Sequence, residues 1–263
     1  MRAKAVSAGA VVAVLLSSFY FAPAAVAQVK SGHGIGGFWA SSRGATPPVR
    51  EATKVEAELM SLLPKNTKLL GDSGVVEFSP GEYSGLDILP DLIEAAKSFD
   101  PDAQRNVSTT CRAPGLIYSM QGPFPIEIFE GRDLIVIKLE YYDLVRTIFM
   151  NETEHPDDLP HTMTGHSIGH WEGDTLIVDT ASLAVGTLFN NGVNHTQNVH
   201  LLERFRLDGN DKLVITQQFE DPGSFNGVAA RVTVFNRGHD HVYPYDCDPA
   251  YGLSIDSRVA PKD

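Results

Sequence analysis

His166 and His170 sit in the run Gly165-His166-Ser167-Ile168-Gly169-His170-Trp171-Glu172-Gly173-Asp174-Thr175-Leu176-Ile177-Val178-Asp179-Thr180. An imidazole titrates near neutral pH and passes protons in either direction. A carboxylate bonded to one ring nitrogen fixes the tautomer that does so. The alternation on both sides of Gly173-Asp174 predicts two strands joined by a two-residue turn. In that register Glu172 faces Thr175, His170 faces Ile177 and Ile168 faces Asp179. With a side-chain period of two, His166, Ile168, His170, Ile177 and Asp179 share one face, and Trp171, Leu176 and Val178 take the other. Asp179 is then a diagonal neighbour of His170, within hydrogen-bond reach. The plain alternative is that these histidines cap the sheet or bond loop carbonyls. A turn one residue longer would also move one strand to the other face.

His195 and His200 lie just before and within the next strand and are the candidates for an acid to complement a base at His166 or His170. Their spacing is not that of a helical metal pair. A metal site built from His166, His170, His195 and His200 is conceivable, but acid–base roles suit one or two of them better and no metal is expected. Glu140 and Arg146 are equidistant from Asp143, so a tight turn centred there sets them face to face. On a solvated face they make a cross-strand ion pair. Inside a barrel a buried pair is costly without a polar role, and Arg146 is then the group to stabilise developing negative charge. Tyr141 alternates to the face opposite Glu140. His239 and His241 read as an exposed acidic turn. There is no Gly-x-Ser-x-Gly elbow, Walker loop or dinucleotide fingerprint, so no cofactor is expected. A serine-hydrolase triad has no motif behind it beyond Ser167 lying next to His166.

The elements that must position these groups are mostly strands. From about residue 115 the hydrophobic period is two, with dense apolar runs at 133–142, 144–150, 199–207, 212–220 and 228–236. Asp208-Gly209-Asn210-Asp211 is a hairpin turn signal. The pattern predicts an antiparallel meander of six or seven strands or more, which closes most easily into a barrel or a strongly curved sheet. Two short helices are expected ahead of it, one over 51–63 and one within 87–98 that Pro90 confines to starting there, with 69–83 as loop between them. Gly37-Phe38-Trp39 is similar to the way lipocalin-like barrels begin. The expected class is mainly β, a lipocalin-like antiparallel barrel with an N-terminal helical segment. Its divisions are 1–27 signal peptide, 28–107 N-terminal segment, 108–256 barrel core and 257–263 tail.

Arg2 and Lys4, the apolar run 11–21 and Ala25-Val26-Ala27 fit a secretory signal, which places the mature chain in the periplasm or outside the cell. No later stretch is long enough to span a membrane as a helix. The net charge of −12 disfavours nucleic acid and anionic membrane surfaces. Cys111 and Cys247 either pair in an oxidising compartment or remain as two buried thiols, and neither has the spacing of a zinc-thiolate site. Asn106, Asn151 and Asn194 begin glycosylation sequons, relevant only where the source glycosylates.

The hairpin motif, the strand Val145-Arg146-Thr147-Ile148-Phe149-Met150, His155-Pro156, and the stretch from His195 through His200-Leu201-Leu202-Glu203-Arg204-Phe205 resemble a large group of exported, uncharacterised bacterial proteins common in acidobacterial and sphingomonad genomes. The resemblance covers roughly residues 108–256 and implies an exported β-rich fold. Two departures stand out. Gln197 occupies a position where the group usually has an acidic residue, and Asp248-Pro249-Ala250-Tyr251 follows Cys247 where the group typically has His-Glu-Gly-Asn. The polar groups that share one face of an otherwise apolar hairpin predict cofactor-independent acid–base catalysis on a hydrophobic organic molecule: an elimination, hydration, isomerisation or cyclisation. His166 or His170 would be the base, oriented by Asp179, with His195 or His200 as acid. A non-catalytic carrier of a lipophilic ligand and a histidine-ligated metal-dependent hydrolase are the alternatives. Oligomeric state is not readable from the sequence.

Overall fold

The computed structural model describes residues 33–41, 52–70, 79, 81–99, 111–121 and 123–248, all within one compact unit spanning Ser31–Asp263. The expected signal segment, the 257–263 tail, the Asn106 sequon and most of the 69–83 loop lie outside the described residues. In chain order come β1 (Gly37–Ser41), α1 (Lys54–Ser61), β2 (Lys68–Leu69), β3 (Asp87–Ile88), α2 (Pro90–Ala96) and α3 (Leu116–Ser119). They are followed by β4 (Ile126–Glu130), β5 (Leu134–Leu139), β6 (Val145–Phe149), β7 (His166–Glu172), β8 (Thr175–Ala181), β9 (Gly186–Phe189) and β10 (Val193–His195). The last are β11 (His200–Asp208), β12 (Lys212–Glu220), β13 (Phe225–Asn226) and β14 (Ala229–Arg237).

Nine of these strands close into a barrel in the order β1-β4-β5-β6-β7-β8-β11-β12-β14, with β14 pairing back to β1. The mainly β barrel anticipated from the sequence is therefore the fold. The meander is not wholly antiparallel, however, because β6 and β7 run parallel. A hairpin cannot join parallel neighbours, so the chain must return along the barrel first. The Pro- and Asp-rich segment 150–165 makes that crossing. The barrel also begins earlier than the change of period suggests, since β1 comes from the Gly-x-Trp element.

Trp39 anchors that first strand. It is fully buried, donates its indole N–H to the Ile35 carbonyl at 2.7 Å, and lies under the Arg237 guanidinium, 4.1 Å from the ring centroid. Arg237 also donates to the carbonyls of Gly34 and Gly36, so one cation ties the ends of the closing seam. Inside, Ile128, Ile137, Leu176, Phe205 and Phe235 belong to one continuous apolar core. Outside, α1 starts at Thr53, whose hydroxyl accepts from the Glu56 N–H. Leu59 of α1 then packs on Val214 and Val234, covering the outer wall of β12 and β14. Cys111 and Cys247 form a disulfide across a sequence separation of 136 residues.

Candidate functional site

The two-residue turn at Gly173-Asp174 produces the expected register, pairing His170 with Ile177 and Ile168 with Asp179. The face carrying His166, His170 and Asp179 is the outside of the barrel. Ser167, Leu176, Val178 and Thr180, from the alternate positions, are buried. Leu176 and Val178 are the apolar residues that join the core, and with a period of two this sends the histidines outward. An interior cavity lined by the histidines is therefore not what the fold builds.

On that outer wall lies a chain of four polar contacts. Glu152 Oε2 meets His166 Nε2 at 3.2 Å, and His166 Nδ1 meets His155 Nδ1 at 2.9 Å. His155 Nε2 meets Asp179 Oδ1 at 3.3 Å, and the same oxygen meets His200 Nε2 at 2.8 Å. Each of the strands β7, β8 and β11 contributes one position. The start of β7 gives His166, which stacks on Phe149 of β6 with centroids 5.0 Å apart. Asp179 near the end of β8 lies opposite Leu202, which makes His200, two residues earlier on β11, its diagonal neighbour on the same face. The 150–165 crossing supplies Glu152 and His155. Sequence reading missed both as site residues, because a loop has no period to mark them. His155 entered only among the residues that carry the family resemblance.

Counting protons shows what the chain can do. Ionised carboxylates only accept, and a neutral imidazole carries one N–H. Three of the contacts are hydrogen bonds, His166–His155, His155–Asp179 and Asp179–His200, and the single N–H of each neutral imidazole is enough to make all three. These hydrogen bonds form a line along which protons can shift between nitrogen and oxygen. Burial alone would raise the Asp179 pKa, but the hydrogen bond and charge of His200, followed by those of His155, outweigh it and hold the carboxyl below its ordinary value. The bond to Asp179 raises His200 against partial burial, helped by the charges of Asp179 and Glu220.

The other expected site residues lie elsewhere. His170 is exposed and contacts Glu172 at 3.1 Å rather than Asp179. His195 is buried where β10 pairs with β9, its Nδ1 3.0 Å from the Thr196 carbonyl. Burial lowers its pKa, opposed by the Thr196 bond and Asp221 and reinforced by Arg231. Its Nε2 faces Gly186, where a Cβ would come within 2.6 Å. The quartet His166, His170, His195 and His200 is therefore not assembled. Among the described residues no group of three or more His, Cys, Asp or Glu is placed to hold a metal ion.

Glu140 and Arg146 do not face each other. The Leu139 N–H bonds the Leu144 carbonyl across a four-residue link in which Tyr142 and Asp143 take left-handed conformations, so Arg146 pairs with Ile137. Glu140 stays in the link. Arg146 points into the barrel and is ion-paired with Glu203 of β11, both fully buried. It also donates to Ser167 Oγ at 3.0 Å and Thr180 Oγ1 at 2.7 Å. A guanidinium on the inner wall cannot stabilise charge developing beside histidines on the outer one.

No family model matches the chain, and no curated protein is significantly similar to it.

Proposed function

We propose that this protein is an exported acid–base catalyst acting on a hydrophobic organic molecule at the outer wall of β6, β7, β8 and β11. The observation that carries the reading is the hydrogen-bonded line His166–His155–Asp179–His200. Asp179 holds the Nε2–H of His200 and leaves Nδ1 of that half-exposed ring to exchange a proton with substrate. This is the division of labour a general acid–base histidine needs. His155 shares the Asp179 carboxylate and bonds His166, so one imidazole can deliver a proton while another receives one, as an isomerisation or elimination requires. Beside the chain, the part-exposed Phe149, Ile177 and Leu202 offer an apolar surface for the non-reacting part of the molecule. No cofactor is called on.

The test is a screen of the folded protein against hydrophobic carbonyl and hydroxy compounds. It is read as proton–deuterium exchange into substrate, which reports proton transfer even when net conversion is small. His200→Gln and Asp179→Asn are each expected to lower the exchange rate by about 10²–10⁴-fold, the usual worth of a positioned acid or base. His170→Gln should leave it unchanged. Equal exchange in wild type and His200→Gln would sink the assignment. Binding without exchange would favour a carrier, and metal that copurifies in stoichiometric amount and is lost in His155→Ala would favour a hydrolase.

A further inference from the structure

Arg204 shares the outward face of the histidine line and takes no part in it. Among the strand residues of β6, β7, β8 and β11, two cations face outward, Arg204 and Arg206. Arg206 is ion-paired with Glu58 of α1 at 2.9 Å. Arg204 has only a neutral partner: its Nη1 donates to Gln218 Oε1 at 3.2 Å, and Glu172 acts on it through charge alone. The carboxylates around it are engaged elsewhere. Asp179 meets His155 and His200, Glu152 meets His166, and Glu172 meets His170. Glu220 lends its charge to His200, and Asp208 lies opposite Lys212. Arg204 is also part-buried, and this burial lowers its pKa, opposed by the charge of Glu172. A partly desolvated guanidinium with a single amide acceptor keeps four of its five N–H donors for another partner.

Strand geometry gives this donor set a direction. His200, Leu202 and Arg204 alternate on the outward face of β11, so Leu202 lies between the proton-exchanging ring and the guanidinium. Ile177 of β8 pairs with Arg204 and is a diagonal neighbour of Leu202 on that face. Both apolar side chains are part-exposed, so the surface is open to a ligand. Gln218 lies opposite Leu202, and the Nη1 bond therefore leans the guanidinium along the wall toward His200. Four residues of strand separate the two backbone positions by about 13 Å. A molecule that reaches both needs a pair of acceptors to fork onto the guanidinium, a hydrocarbon stretch over Leu202 and Ile177, and a group that trades a proton at the far end. A carboxylate matches the fork, and a carbonyl next to that carboxylate falls short of His200. We infer that Arg204 binds the carboxylate of the substrate, which is an oxo or hydroxy acid whose reacting carbon stands several carbons from its acid group. What happens at the far end rests on the acid–base role proposed for His200; the anchor at Arg204 does not.

The experiment gives disulfide-intact protein three probes: an octanoate bearing a ketone at its penultimate carbon, the methyl ester of that acid, and pyruvate. Equilibrium dialysis reads binding, and proton–deuterium exchange beside the ketone reads chemistry. The keto-octanoate should bind about tenfold more tightly than its ester, the worth of a hydrogen bond to a charged group. Pyruvate, too short to span the two groups, should exchange no faster with the protein than in buffer. Arg204→Met and Arg204→Gln should each erase the preference for acid over ester, with the loss in KM rather than in kcat where exchange is followed. Arg206→Met should keep it. Either Arg204 variant serves if the other fails to fold, with retained near-ultraviolet circular dichroism as the criterion. Equal affinity for acid and ester, a preference that survives in folded Arg204 variants, or pyruvate exchange as fast as that of the keto-octanoate overturns the inference, even where exchange of the ester upholds the chemistry at His200. Acid-selective binding that the Arg204 variants abolish, with no exchange in any probe, upholds the anchor and sinks the acid–base reading instead.

Discussion

Asp179 accepts from two imidazoles through one oxygen, and this gives the folded state a definite response to pH. His200 is raised above 6.5, so its contribution is full below that value and lost as pH climbs through its folded pKa. Asp179 is held below 3.8, so its contribution is present above that value and lost as pH falls through its folded pKa. The pair therefore stabilises most between 3.8 and 6.5. In urea titrations the stability gap between wild type and His200→Gln should be wider at about pH 5.5 than at about pH 8.5. His195 acts in the opposite sense. With its folded pKa lowered from 6.5, it opposes folding increasingly as pH falls below that value, and His195→Gln should flatten the acid limb of the stability curve. The buried Arg146–Glu203 pair carries a larger stake. Arg146→Met alone leaves a carboxylate in the barrel and should cost about 3–5 kcal/mol, whereas the double change Arg146→Met with Glu203→Leu should recover most of that loss. A double variant as unstable as the single one would contradict this account.

At the scale of elements, the outer site depends on how the chain enters β7 after its long crossing. Gly165 makes that entry with φ at +63°, and a Cβ there would meet the Ala181 carbonyl at 2.5 Å. Gly165→Ala should cost about 1–3 kcal/mol. Because His166 follows directly, its contacts with Glu152 and His155 should loosen as well, visible as a shift of the His166 ring resonances. How far the site could be read from the sequence follows the same line. The 165–180 hairpin was legible because Gly-Asp dictates a two-residue turn, and a fixed turn fixes register. Which face points inward was not decided by the hairpin alone, since that depends on the core that Leu176 and Val178 join. The Arg146 register was illegible for a local reason, because Tyr142 and Asp143 adopt left-handed backbone with no glycine to announce it. The parallel junction of β6 and β7, and with it the arrival of His155, depends on a loop whose path no periodicity records.

For the whole molecule the relevant question is which parts share their stability. Barrel closure runs through Trp39 and Arg237, residues at opposite ends of the described chain, a pairing to which the Gly-x-Trp element was the one local clue. The disulfide works on a different part. Cys111 stands just before α3, and α3 packs on β9. Cys247 ends the strap after β14, which is held by the Val242 N–H on Glu127 and the Tyr245 N–H on Asp143. The cross-link therefore ties α3 to the strap. Removing it in a Cys111→Ala, Cys247→Ala double variant should cost about 2–5 kcal/mol in global stability. Amide exchange should rise first in α3 and the β9–β10 hairpin, because a local opening there no longer has to work against the tether. Protection in β7, β8 and β11 should fall only by the global amount, and proton exchange into substrate at the outer wall should persist in the folded fraction. Early loss of protection in β7 and β8 would instead make the disulfide a support of the histidine chain itself, and would link the redox state of the compartment to the chemistry proposed for that wall.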